Sequence, residues 1–396
     1  MSKILWKPRK PEKTKISEMI DDINKSYGKD IHSYEELHKW SIENISAFWN
    51  EIWSKCRIIH SVGFTEVIDD ENKMPGAKWF KNSRLNFAEN LLRFRDNKIA
   101  IQFKGEKSPL RTISYREIYD EVEKLAHSLR LSGIKKGDRV AGLLPNIPET
   151  ISAMLATSSI GAIWSSCSPD FGTKGVLDRF TQIKPRIIFI TNGYYYNGNY
   201  FNTLKNMSNI LKKLPSVEKV IIINYPKIDN NTTINKSITY KEFLSKNPAP
   251  LKFEQLPFDH PLYIMYSSGT TGLPKSIVHS SGGTLIQHLK ELSLHCDLKR
   301  DDCIFYFTTC GWMMWNWMIS SLSLGATIVL FDGSPFYPNG ENLWKLAEEI
   351  NITVFGTSAT YINACKDSNI IPKNFVNLSK LRMILSTGSP LSDENF

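Results

Sequence analysis

Residues 263 to 280 read Tyr-Ile-Met-Tyr-Ser-Ser-Gly-Thr-Thr-Gly-Leu-Pro-Lys-Ser-Ile-Val-His-Ser, a hydroxyl- and glycine-rich loop ending in lysine between apolar runs. Those residue types make a phosphate cradle. Small side chains let backbone N–H groups approach anionic oxygens, hydroxyls add movable donors, and an ammonium adds charge. Ser267, Ser268, Thr270 and Thr271 supply the hydroxyls, Gly269 and Gly272 give access to positive φ, and Lys275 is the cation. The spacing is not that of a P-loop, where glycine immediately precedes the lysine; here Pro274 does. A plain serine- and glycine-rich surface turn would leave the Pro-Lys pair between two apolar stretches unexplained.

Two later segments could complete a site. Thr308-Thr-Cys-Gly-Trp-Met-Met-Trp-Asn-Trp-Met318 packs three tryptophans and three methionines into a short run. Alone, such a cluster reads as core. Its place directly after an expected strand is where α/β folds put ligand contacts, so Trp312, Met313, Met314 and Trp315 are candidates for an apolar substrate pocket, with Asn316 as its polar anchor. Leu385-Ser-Thr-Gly-Ser-Pro-Leu391 also follows an expected strand. A glycine and a proline there suit a backbone that passes flat against a planar ring.

The elements that must hold these segments alternate. Ser114-Tyr-Arg-Glu117 is a capping box opening a helix that ends near Gly133. Arg139 to Leu144 reads as a short buried strand, Pro148 starts a helix through Ile160, and Pro185 precedes a strand from Arg186 to Thr191. Further strands are expected at 217–224, 263–266, 303–307, 327–331, 353–356 and 381–386. The pattern predicts an α/β fold of mostly parallel sheets flanked by helices. Ile151 to Ser168, diluted by serines, reads as a buried helix rather than a membrane span. Residues 192–203 and 227–237 are rich in Asn, Tyr, Thr and Lys and are expected to be exposed loops. The first sixty or so residues, with Trp40, Phe48, Trp49 and Trp53 among charges, suggest helices that cap a larger body.

A chain of 396 residues is long enough for more than one domain. Its formal charge of +9 is scattered rather than gathered on one face, weak grounds for nucleic-acid binding, although a basic surplus would suit polyanions such as ATP and coenzyme A. Codon bias toward Lys, Asn and Ile accounts for it equally well. Six dispersed cysteines without a Cys-x-x-Cys pair suggest reduced thiols in a cytoplasmic protein, and the polar start shows no secretory signal. No membrane span and no nucleic-acid partner are expected.

The loop at 267–275 resembles the signature of the adenylate-forming superfamily, Ser/Thr-Gly-Ser/Thr-Thr-Gly-x-Pro-Lys. Together with Cys310-Gly-Trp-Met-Met-Trp-Asn-Trp317, Gly325-Ala-Thr-Ile-Val-Leu-Phe-Asp-Gly-Ser-Pro335, Ser165-Ser-Cys-Ser-Pro-Asp-Phe-Gly172 and Ser386-Thr-Gly-Ser-Pro-Leu391, it resembles the acetoacetyl-CoA synthetase family across essentially the whole chain. Acetyl-CoA synthetases carry Gly-Trp-Val-Thr-Gly-His where this chain has Gly-Trp-Met-Met-Trp-Asn. The resemblance implies a ligase: acetoacetate attacks the α-phosphorus of ATP, releasing pyrophosphate, and the thiol of coenzyme A then takes the acyl group from the adenylate. It gives Lys275, Thr270 and Thr271 the catalytic phosphate contacts and makes Ser267, Ser268, Gly269 and Gly272 nucleotide-binding. Gly388, Ser389 and Pro390 would line the adenine, and Mg²⁺ would bridge phosphate oxygens, with no metal ligand assigned to this chain. A carboxylic acid is already ionised at neutral pH, so His279 is expected to pack rather than act as a base, and the cysteines have no chemical part.

The resemblance divides the chain into a helical cap, 1–75, and an incomplete adenylation domain, 76–396. The family's Tyr-Gly-x-Thr-Glu and Tyr-x-Thr-Gly-Asp segments, its hinge and its small lysine-bearing C-terminal domain have no match here. The polypeptide is therefore expected to behave as a fragment, binding ATP weakly without useful acyl-CoA synthesis. Two alternatives stand beside this reading: an acetyl- or propionyl-CoA synthetase, and a non-catalytic nucleotide-binding remnant.

Overall fold

The computed structural model describes Pro8 and residues 10–228, 233–267 and 272–396. Two sheets organise it. The first has seven strands in the order Ser237–Thr239, Lys219–Ile223, Ile187–Thr191, Arg139–Leu143, Ile163–Cys167, Pro261–Ser267 and Lys275–Ser280. All neighbours pair in parallel except the last two, which form an antiparallel hairpin. The second has six strands, Met383–Thr387, Val354–Ser358, Cys303–Tyr306, Thr327–Asp332, Ile99–Gly105 and Ser108–Ser114, again parallel except for the final pair.

The α/β expectation holds, and the reason is legible in the residues. Ile187–Thr191 and Thr327–Asp332 are buried along their whole lengths, as parallel strands covered on both faces must be, and both are rich in β-branched or aromatic residues. The capping box closes as expected: Ser114 Oγ accepts the Glu117 N–H at 3.2 Å, and the Glu117 carboxylate takes the Ser114 N–H at 2.7 Å. The helix it opens, Tyr115–Leu131, buries Ile118, Val122, Leu125 and Leu129, one stripe at helical spacing.

Two expectations need correction. Ile151–Ser168 is not one helix: helix Pro148–Ser159 ends, and Ile163–Cys167 is a central strand. Gly161, with φ +74°, makes the turn between them. Both halves are buried, so hydropathy alone could not separate them. Residues 192–203 are not an open loop either. Gly193–Tyr196 and Asn199–Asn202 form a two-stranded hairpin, turned by Asn197 and Gly198, both at positive φ, the pattern of a type I′ turn. The Asn-Gly signal was present in the sequence and outweighs the composition. Of the other expected loop, residues 229–232 lie outside the described residues.

The N-terminal segment forms three helices, Lys15–Tyr27, Tyr34–Glu43 and Ile45–Lys55. Met19, Ile23, Leu37, Trp40, Ile52 and Trp53 join the same apolar core as residues of both sheets. Trp53 stacks on Phe80 with ring centres 4.8 Å apart, and the Lys15 N–H donates to the Asp297 carboxylate at 2.9 Å. No described helix is long and apolar enough to cross a membrane.

All six cysteines are free and buried. Burial pushes the thiols of Cys56, Cys167, Cys296 and Cys303 up to about 12. A thiol-disulfide reagent at pH 8 should therefore find no fast-reacting cysteine in the native protein and all six after guanidinium denaturation. A rapid native stoichiometry of one or more would show that a cysteine reaches solvent.

Candidate functional site

Parallel strands send their carboxyl ends to one edge, and here the carboxyl edges of the two sheets meet. Ser166 Oγ, on the first sheet, donates to the Cys310 carbonyl at 2.7 Å, just beyond a strand of the second. Cys310 Sγ donates to the Leu144 carbonyl at 2.8 Å. Asn146 Nδ2 spans to the carbonyls of Thr308 and Phe331, each at 3.4 Å, while its Oδ1 accepts the Trp315 indole N–H at 2.9 Å. Leu144, Asn146, Thr308 and Cys310 follow strand ends, and Ser166 and Phe331 are next to last in their strands, at the edge where open α/β sheets bind ligands.

Strand Pro261–Ser267 carries the hydroxyl loop to this junction, and Lys275 opens the return strand, paired with Ser267. Ser267 and Lys275 thus pair at one end of an antiparallel strand pair, and Lys275 is a strand residue with an exposed side chain and a fixed backbone. Gly272 is exposed. Ser268, Gly269, Thr270 and Thr271 lie outside the described residues. Two residues before Ser267, Met265 Sδ accepts from Asn316 Nδ2 at 3.6 Å. The Trp/Met segment, helix Met313–Ile319, is therefore seated directly against the strand that feeds the loop.

That helix divides its candidate residues. Trp312 and Met313 are exposed, at 61% and 37%, and Met314 is half-buried. Trp315 is fully buried and Asn316 nearly so. Trp315, its N–H committed to Asn146, is a pillar of the sheet junction. Asn316 keeps a buried Oδ1 without a partner and faces a small internal space shared with Trp164, Ser166, Tyr263, Met265 and Gly311. Gly388, Ser389 and Pro390 follow strand Met383–Thr387, and all three are exposed. Gly388 stands at φ +94°, which favours glycine. His279 lies with its ring 5.0 Å from Tyr263, and burial lowers its pKa, which suits a packing role.

Beside the junction is a cavity of about 450 Å³, lined by Asn146, Asp170, Tyr194, Tyr196, Thr308 and Asp332 among others. Its aromatic wall is the hairpin that composition disguised as a loop. The Glu106 carboxylate fixes that hairpin by accepting the N–H groups of Asn197 at 2.7 Å, Gly198 at 2.9 Å and Ser334 at 2.6 Å. Among the described residues no group of three His, Cys, Asp or Glu is arranged to hold a metal ion.

Asp332 is the residue that sequence reasoning missed. It ends a fully buried strand and accepts the Tyr225 hydroxyl at 2.8 Å. Burial pushes its carboxyl up to about 7; the Tyr225 hydrogen bond opposes this, and Glu106 and Asp170 add to it. Its pKa is then above the unfolded value near ~3.9, so the folded chain holds a proton that the unfolded chain releases. The stability this adds is complete below the unfolded pKa and is lost as pH rises through 7. Asp332→Asn should therefore gain on the parent in urea midpoint from pH 5 to 7 and level off above. A constant difference over that range would show that the carboxyl is ionised in the fold.

Known proteins resemble this chain in sequence and in fold. The family model described as AMP-binding enzyme matches residues 87–395, and one described as acetyl-coenzyme A synthetase N-terminus matches residues 34–91. An acetoacetyl-coenzyme A synthetase of Rhizobium meliloti is 46% identical over 99% of this chain and 61% of its own length. An acetoacetyl-CoA synthetase of Danio rerio is 43% identical over 100% of this chain and 60% of its own. Among solved structures, an acetoacetyl-CoA synthetase from Streptomyces lividans superposes with a TM-score of 0.94 at 38% identity, over all of this chain and 61% of that one. This chain thus spans about three fifths of the length of the relatives it matches.

Proposed function

Because the chain belongs to the AMP-binding enzyme family, we propose that it serves an AMP-forming acid–thiol ligase acting on acetoacetate. In the first step a carboxylate oxygen of the acid bonds to the α-phosphorus of ATP, and the bond to the pyrophosphate oxygen breaks. In the second, the sulfur of coenzyme A attacks the acyl carbon; AMP leaves, and the thiol proton passes to solvent. The carrying observation is the contact between Asn316 and Met265, which sets the Trp/Met helix against the strand that delivers the hydroxyl loop. A small acid and a triphosphate would meet there.

Positioning and charge neutralisation do most of the work in such transfers. Lys275 would hold the β- and γ-phosphates, with Ser267 and the hydroxyls of the loop, and Gly388 to Pro390 would give the adenine a flat backbone wall. The exposed Trp312 and Met313 would judge the acid. The aromatic cavity beside Thr308 would admit the thiol-bearing arm of coenzyme A. Mg²⁺, when bound with ATP, would add charge neutralisation at the phosphates. Six free, buried cysteines support a reducing compartment such as the cytoplasm. The boundaries 1–75 and 76–396 remain our proposal for the division of labour between cap and nucleotide-binding body.

The test is exchange of labelled pyrophosphate into ATP by this chain, with and without acid. Stimulation by acetoacetate above that by acetate or propionate is expected. Greater stimulation by acetate would move the assignment to the acetyl-CoA synthetases. ATP binding without any acid-dependent exchange would sink the ligase reading and leave a nucleotide binder.

A further inference from the structure

A second cavity, about 550 Å³, lies away from the sheet junction, between Trp49 of the third N-terminal helix, residues 76–84 and 257–259, and the start of helix Ser281–Lys290. It touches Ser280, the far end of the strand that Lys275 begins. Five residue steps at about 3.4 Å put roughly 17 Å between them. The volume is that of a small-molecule site.

The lining has two characters. Trp49 and Trp79, edge to face with ring centres 6.1 Å apart, join Phe258 and Ile286 to make an apolar floor. Cations stand around the mouth. Lys78 is paired with Asp259 at 3.2 Å and Lys81 with Glu66 at 3.5 Å. Arg84 is exposed and makes no ion pair among the described residues. Next to it, Ser83 keeps a buried hydroxyl without a hydrogen-bond partner. The backbone that presents them is strained: Phe80, bulky and buried, sits at φ +44°, and Asn82 at φ +69°. Aromatic residues at positive φ are rare, and such strain gathers at ligand sites.

We propose that this cavity is a second ligand site, for an amphipathic organic anion whose planar apolar body rests against the edge-to-face indole pair and whose anionic head meets Arg84. The two tryptophans offer faces and edges to a ring, and a guanidinium offers a fork of donors to a carboxylate, sulfonate or phosphate. The site stands independently of the ligase reading, because it shares no residue with the hydroxyl loop or the Trp/Met helix.

The experiment uses 8-anilinonaphthalene-1-sulfonate and its uncharged analogue N-phenyl-1-naphthylamine, each followed by energy transfer from tryptophan. The sulfonate should saturate at one site per chain and should not be displaced by ATP with magnesium. Arg84→Gln should weaken it about tenfold, the worth of one charge-assisted hydrogen bond, while leaving the neutral analogue within about twofold. Arg84→Lys should recover part of the loss. The urea midpoint of each variant should match the parent, since Arg84 is exposed. Displacement by ATP, or sulfonate binding that Arg84→Gln leaves unchanged, overturns the proposal.

Discussion

Lys275→Gln is expected to weaken ATP binding about tenfold or more while leaving AMP binding within about twofold. A hydrogen bond between charged partners contributes roughly 1.5–3 kcal/mol, which sets the size of the loss. The selectivity follows from position. Lys275 has its backbone fixed by the ladder to Ser267, so its side chain sweeps only the hairpin tip, where the outer phosphates would lie. AMP has none of them. Because the side chain is exposed and makes no ion pair among the described residues, the substitution should not move the denaturation midpoint. Calorimetric titration with ATP and AMP, both with magnesium, separates the possibilities. Equal weakening of the two would place Lys275 at the α-phosphate, and no weakening of either would make it an ordinary solvated strand residue.

The second large effect concerns stability. Trp315→Ala should destabilise the fold by about 3–5 kcal/mol, the usual range for removing a buried tryptophan. Trp312→Ala, three residues earlier, should change stability by less than about 0.5 kcal/mol, since most of that ring faces solvent. Trp315 does more than fill space. Its N–H satisfies Asn146, which in turn holds the carbonyls of Thr308, beyond one strand of the second sheet, and of Phe331, next to last in another. Trp315→Phe would keep most of the volume but leave Asn146 Oδ1 without this donor, at a cost of about 1–3 kcal/mol. Urea unfolding of the three variants gives the order Trp312→Ala, Trp315→Phe, Trp315→Ala, from mildest to harshest. If Trp312→Ala proves the harshest, the exposed and buried faces of this helix have been read the wrong way round.

The same helix shows how much the sequence discloses. Its position after a strand was legible from the apolar run at 303–307 followed by glycine, and its chemistry from the crowding of tryptophan and methionine. Which tryptophan faces inward was not, because every position in the run is apolar enough for either side. The segmentation into strands was legible nearly everywhere, since parallel strands buried on both faces leave continuous β-branched runs between polar turns. It failed at 151–168, where helix and strand are equally buried, and at 192–203, where a composition rich in Asn and Tyr masked an Asn-Gly turn. The hydroxyl loop suggested a chemistry because its residue types are local. Asp332 was not, because a carboxyl at a strand end acquires its character from Tyr225, Glu106 and Asp170, which only the fold brings near.

The first of the N-terminal helices bonds to Asp297, 282 residues further along the chain. During synthesis that partner does not yet exist. At about 5–20 residues per second, the helix waits roughly 15–60 seconds before this anchor has been made. Met19 and Ile23 are buried in a core shared with the next two helices and with residues near 292, so only part of their cover exists before then. The docking of the opening segment is thus completed only late in synthesis, and a ribosome that pauses before residue 297 would hold this helix with its near neighbours in place and its distant anchor missing.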